Sequence, residues 1–202
     1  MERTIVKTEG DFRAVIIRDE YPEAPDFDGQ AGIIRLDYTG NYQADAKNEA
    51  AGDFEYAARH CLNYWGMRKG TEVFKRFLRV FHGARDIREF SYSYSPDSAV
   101  YVAFDTADMR AEWGCSEDAT DGAEGTAAEW QAYIDGDVYG VAVERRVTVS
   151  SVTTFQGEEV ATDEAEEWEE IDGSDVWGHY GEAWAKEAAV IQMNYYTPKT
   201  EG

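Results

Sequence analysis

Apolar and polar positions along this chain recur with two periods, and the changes between them predict its elements. "FRAVIIRDE" and "AGIIRLDYTG" are short runs rich in Val, Ile and Tyr, separated by the proline-bearing "YPEAPDFDGQ", and they predict two strands joined by a loop. Phe54, Ala57, Ala58, Cys61, Leu62 and Trp65 recur on one helix face, which predicts an amphipathic helix ending near Gly66 and packed on the sheet. A second helix is expected after Gly70, capped by Thr71, with Val73, Phe74, Phe77, Leu78 and Phe81 buried and Lys75, Arg76 and Arg79 turned outward.

Strict alternation returns in "REFSYSYS", with Phe90, Tyr92 and Tyr94 on one side, and the turn at Pro96-Asp97 leads into "AVYVAFD", so a hairpin is predicted. Thr106 is placed to cap a helix over "ADMRAEW" and Thr126 another over "AAEWQAYI", with the acidic "GCSEDATDGAEG" between them as an exposed linker. "DVYGVAVERRVTVSSVTTF" is a long β-type run, "EEWEEIDG" is positioned to return beside it, and "GEAWAKEAAVIQ" closes the chain as a helix. With no repeat and no clear boundary, the expectation is a single α+β domain over residues 1–202, mainly antiparallel sheet with packed helices.

Charge changes this picture more than composition does. The 202 residues carry a formal net charge of -22, yet 43% are hydrophobic and 14% aromatic, which favours a folded chain over a disordered one. The imbalance is C-terminal: residues 101–202 hold 5 Lys/Arg against 24 Asp/Glu, whereas the segment 59–88 holds eight cations against Glu72 and Asp86. Such unevenness argues against salt adaptation, which acidifies a whole surface, and the excess is well beyond the magnitude of about 2 to 8 that solubility requires. The densest stretch, "EEVATDEAEEWEEIDGSD", places Glu158, Glu159, Asp163, Glu164, Glu166, Glu167, Glu169, Glu170, Asp172 and Asp175 within eighteen residues that include no cation. Like charges so close weaken a fold unless an ion or partner uses them, so these ten residues are the candidate partner-binding surface. The basic face near residues 59–88 is read as solvated or internally paired, because the field of the whole molecule repels a phosphate backbone. Direct nucleic-acid binding is not expected.

Candidate chemistry is sparse. Asp135 and Asp137 in "YIDGDVYG" are the types that hold metals or exchange protons, but "DGD" between helix and strand is first a turn with Gly136 at positive φ, and no metal site or cofactor is expected there. His179 joins only His60 and His82, both in helical contexts. Neither a nucleophile elbow, a phosphate-binding loop nor a metalloprotease motif is present. Cys61 and Cys115 lack metal or redox spacing and read as reduced structural thiols. The N-terminus lacks the features of a secretory signal and no apolar run reaches about 18 residues, which points to a cytoplasmic protein without membrane contact.

"AVIIRDEYPEAPDFD", "VYVAFDTADMRAEWG", "EWQAYIDGDVYGVAVE" and "WEEIDGSDVWGHYG" resemble, in order, the blocks of an acidic protein family carried by bacteriophages and mobile elements. Its most specific parts here are Gly136, Asp137, Val138, Tyr139 and Gly140, and Trp177, Gly178, His179, Tyr180 and Gly181; the cation-rich segment 66–88 does not align. The resemblance implies a phage origin and brings no catalytic residue. In size, acidity and aromatic content the chain is also similar to antirestriction DNA mimics, without their motifs. The expected function is therefore a non-enzymatic anti-defence inhibitor, in the host cytoplasm, that shows a DNA-like surface to a basic nuclease or other nucleic-acid-binding defence protein. A small-ligand or nucleotide-signal binding module, with aromatics and the segment 59–88 lining a pocket, is the alternative, and an unrecognised hydrolase using Asp135, Asp137 or His179 a third; a homodimer is compatible with each.

Overall fold

The structure, a computed structural model, describes residues 3–25, 31–37, 41–114, 122–155 and 158–197, with the backbone alone for 153–155 and 158–163. In chain order the elements are β1 (Arg3–Glu9), β2 (Phe12–Arg18), β3 (Gly32–Asp37), β4 (Gln43–Ala46), a 3-10 turn (Glu49–Phe54), α1 (Glu55–Trp65), α2 (Met67–His82), β5 (Ile87–Ser91) and β6 (Ala99–Phe104). There follow α3 (Ala107–Glu112), α4 (Gly122–Asp135), β7 (Val138–Phe155), β8 (Glu158–Glu170), β9 (Val176–Tyr180) and α5 (Glu182–Tyr196). The class is α+β, and every strand pair among the described residues is antiparallel. The residues group into two compact units, Met1–Glu23 with Gly136–Gly202, and Ala24–Asp135.

The unit Ala24–Asp135 is a four-stranded sheet in the order β4-β3-β6-β5 with helices on both faces. Alternation builds it. Ile34 and Leu36 of β3 and Val100, Val102 and Phe104 of β6 meet Ala58, Cys61 and Leu62 of α1 and Met67, Phe74 and Leu78 of α2. The intervening Ile33, Ala99, Tyr101 and Ala103 face Ala123, Ala127 and Trp130 of α4, so all six residues of β6 are buried. Gly66, at φ 72°, ends α1 and opens α2. A buried ion pair ties the ends together: Arg110 donates to Asp105, and to the Gly83 carbonyl at 2.8 Å. The other Asp105 oxygen accepts from the backbone N–H groups of Arg85 and Asp86.

The unit Met1–Glu23 with Gly136–Gly202 is a five-stranded sheet ordered β1-β2-β7-β8, with β9 also paired to β7. Ala185 and Ala189, both small, let α5 sit close, and with Met193 they pack on Ala14 and Ile16 of β2 and on Val141 and Val143 of β7. The hairpin of β7 and β8 continues beyond this core, with β8 as its outer strand.

Several expectations are corrected. The strands over "FRAVIIRDE" and "AGIIRLDYTG" exist, but they belong to different sheets. α2 begins at Met67, not after Gly70, and Thr71 is no cap: its hydroxyl donates to the Met67 carbonyl four residues back at 2.9 Å. Phe81 lies in the last turn of α2 and is 74% exposed. β5 stops at Ser91, which leaves Tyr94 outside the sheet and exposed. Thr106 does cap α3, accepting from the Met109 N–H at 3.1 Å, whereas Thr126 is buried inside α4, which begins at Gly122 within the supposed linker. Cys115 and the remainder of that linker, 115–121, lie outside the described residues, as do 26–30 of the first loop.

Candidate functional site

The acidic run folds as a strand because β7 offers it a partner. Opposite Glu144, Arg145, Arg146, Val147, Thr148, Val149 and Ser150 stand Glu170, Glu169, Trp168, Glu167, Glu166, Ala165 and Glu164. Period-2 geometry therefore sends Glu164, Glu166, Trp168 and Glu170 to one face and Glu167 and Glu169 to the other.

On the first face the charge is not left alone. Trp168 is half-buried between two guanidinium groups, Arg13 at 4.5 Å and Arg146 at 5.1 Å from its ring centre. Arg146 also reaches Glu166 at 3.3 Å and Asp11 at 3.8 Å, and Arg3 donates to Glu170 at 2.9 Å. Both Arg3 and Arg13 donate to Glu144, a carboxylate only 2% exposed. The acidic run has no cation nearby in sequence, as expected, yet some of its acids are paired by cations from elsewhere in the chain. Its cations come from β1, β2 and β7, up to 167 residues away in sequence for Arg3 and Glu170. Arg3 and Arg13 had no signal in the sequence, but Arg145 and Arg146, the only cations between Ala111 and Ala185, did.

The remaining acids divide clearly. Glu164, Glu167, Glu169 and Asp172 are exposed and, among the described residues, have no cation paired with them; Asp175 is exposed and accepts from the Trp177 indole N–H at 3.2 Å. The side chains of Glu158, Glu159 and Asp163 lie outside the described residues.

The two glycine-bounded motifs meet. In the pairing of β7 with β9, Val138 faces Tyr180, Tyr139 faces His179 and Val141 faces Val176, with an irregularity in between that accommodates Gly140. A Cβ at Gly140 would stand 2.6 Å from Cε3 of Trp177, so the indole lies directly on the glycine backbone. Gly136 turns at φ 69° and its carbonyl accepts from Arg18 at 2.9 and 3.1 Å. Asp137 accepts from the Tyr139 hydroxyl at 2.8 Å, and its backbone carbonyl accepts from the Gly181 N–H at 2.8 Å. Burial, then the hydrogen bond and charge of Asp137, push the Tyr139 hydroxyl up to about 12. Tyr180 donates to the Glu23 carbonyl at 3.1 Å, and Gly178 and Gly181 both have positive φ. Burial lowers the His179 pKa, and its Nε2 is enclosed without a hydrogen-bond partner. These contacts build a strand junction.

Asp135 belongs to the other unit, where it accepts from the Ser93 N–H at 3.0 Å, the Ser93 hydroxyl at 2.5 Å and Gln131 at 2.7 Å. Burial alone would raise its pKa, but these donors bring it below the usual carboxylate value. Among the described residues, no three His, Cys, Asp or Glu side chains gather closely enough to hold a metal ion, and no helix is long and apolar enough to cross a membrane. Compared with protein-family models, curated proteins and solved structures, the chain matches none.

Proposed function

We propose that the protein is a non-enzymatic inhibitor whose β8 strand presents a DNA-like row of carboxylates to a basic, nucleic-acid-binding protein. The observation that carries this reading is the spacing along β8. A strand advances about 3.4 Å per residue, and each strand of B-DNA advances about 3.4 Å per phosphate. On this rise Glu164, Glu166, Glu167, Glu169 and Glu170 set carboxylates along both faces of the strand; Glu166 and Glu170 are ion-paired with Arg146 and Arg3, and Glu164, Glu167 and Glu169 are left to stand for phosphates, beside Trp168 and its two guanidinium groups. Preorganised charge matters here because a flexible acidic tail would lose much of its affinity to ordering.

The resemblance to acidic bacteriophage proteins supports a setting in which such an inhibitor has a target, a host defence nuclease in the cytoplasm. Carboxylate mimicry also needs no catalytic residue, which agrees with the structural roles of Asp135, Asp137 and His179.

The protein immobilised in host lysate should retain a basic DNA-binding protein at low salt and release it both at high salt and on addition of duplex DNA. Retention that duplex DNA leaves untouched, or that survives Glu164→Gln with Glu166→Gln, Glu167→Gln and Glu169→Gln, contradicts the reading.

A further inference from the structure

The basic residues of α2 have a use that the proposed inhibition leaves open. Arg68, Lys69, Arg76 and Arg79 lie within one third of the helix circumference, all exposed, and among the described residues none has an ion-pair partner. The acid on that face, Glu72, is engaged by Lys75 at 2.6 Å. In a chain of net charge -22, four uncompensated cations in one stripe are an exposed patch of opposite sign, bordered by Val80 at 63% exposure.

We infer that this α2 face binds the β8 edge of a second copy of the chain. Charge complementarity selects that occupant: along the β8 edge Glu164 on one face and Glu167 and Glu169 on the other are exposed and, among the described residues, have no cation paired with them, so each surface supplies what the other lacks. Length agrees. Arg68 to Arg79 spans about 16 Å of helix at 1.5 Å per residue, and Glu164 to Glu169 about 17 Å of strand. A nucleic acid is the less suitable occupant, because its whole phosphate backbone approaches a strongly negative molecule, whereas a second copy brings its acids to the basic stripe on one short strand.

The contact joins two different patches, so it is heterologous. It also has an unusual salt dependence. At about 0.01 M ionic strength the screening length is near 30 Å and the repulsion of two net-negative molecules prevails; at about 0.15 M it is near 8 Å and the local pairs prevail; at 1 M it is near 3 Å and they too are screened. Association should pass through a maximum at intermediate salt.

Sedimentation velocity of the full chain across 0.01, 0.15 and 1 M salt tests this, with circular dichroism confirming that each variant is folded. The expected result is self-association strongest at 0.15 M and weakened at least about tenfold by Arg76→Glu with Arg79→Glu, or separately by Glu164→Lys with Glu167→Lys. Mixing the two double variants should restore association between them, while each alone stays monomeric. Arg68→Glu with Lys69→Glu serves as a second α2 variant should the first not fold. A monomer at all three salt concentrations, association rising steadily with salt, or a mixture that stays monomeric overturns the inference. So does binding of a labelled single-stranded oligonucleotide that depends on Arg76 and Arg79 in a chain that does not self-associate. None of these outcomes depends on whether a nuclease is inhibited.

Discussion

At the scale of single residues, position decides what a carboxylate does. Glu144 and Glu164 stand in the same sheet, yet Glu144 is 2% exposed and held by Arg3 and Arg13, whereas Glu164 is exposed and, among the described residues, has no cation paired with it. Removing one partner of a buried ionic group costs far more than removing an exposed charge. Glu144→Gln should therefore destabilise the fold by about 3 kcal/mol and Glu164→Gln by less than about 0.5 kcal/mol, read from chemical denaturation midpoints. His179 gives a pH dependence of known sign. Its folded-state pKa lies below the ordinary value, so the unfolded chain binds more protons in the interval between the two. Stability is full above about pH 6.5 and falls as pH drops below it. His179→Leu should flatten the fall in melting temperature between about pH 6.5 and 5, where most carboxylates remain ionised. An unchanged slope means that His179 is neutral in neither state or equally in both.

Among the elements, what was legible in the sequence was what local pattern controls. β7 and α1 follow from a long β-type run and from helical spacing; a return beside β7 is expected over "EEWEEIDG", whereas β8 begins at Glu158 and ends at Glu170. β1, β4 and β9 are not predicted by local pattern. β4 is four residues with a single buried position, and β9 carries a glycine among five residues, too little pattern to register. Hydroxyls favour helix starts, which points to Thr71 and Thr126 as caps, but both are buried and the helices run through them. Gly70 has the look of a helix boundary in the sequence and is instead a crossing point: a Cβ there would meet the Cys61 carbonyl oxygen at 2.7 Å and Leu62 Cα at 2.8 Å, both backbone of α1. Gly70→Ala should thus destabilise by about 1–3 kcal/mol despite the better helix propensity of alanine, measured by thermal or chemical denaturation. A neutral or stabilising effect means that α1 and α2 separate without cost. The network of Arg3, Arg13, Glu144 and Trp168 was illegible for a plainer reason, since its members are brought together by the β1-β2-β7-β8 order and by no local spacing.

For the whole molecule, the question is whether the acidic strand is kept for folding or for binding. Amide replacement of Glu164, Glu166, Glu167 and Glu169 keeps side-chain shape, removes like-charge repulsion and gives up one exposed pair, Arg146 with Glu166. The melting temperature should hold level or rise, and a clear fall marks β8 as structural. DNA mimicry is tested by displacement of a labelled DNA duplex from a purified basic nuclease by increasing amounts of this protein at about 0.05 and 0.2 M salt. The expected result is that the protein displaces the duplex and blocks cleavage, less effectively at the higher salt, and that the fourfold amide variant, equally well folded, displaces it poorly because its association is slower. Equal displacement by the two proteins, or displacement by neither of any basic DNA-binding protein recovered from the host, would contradict it.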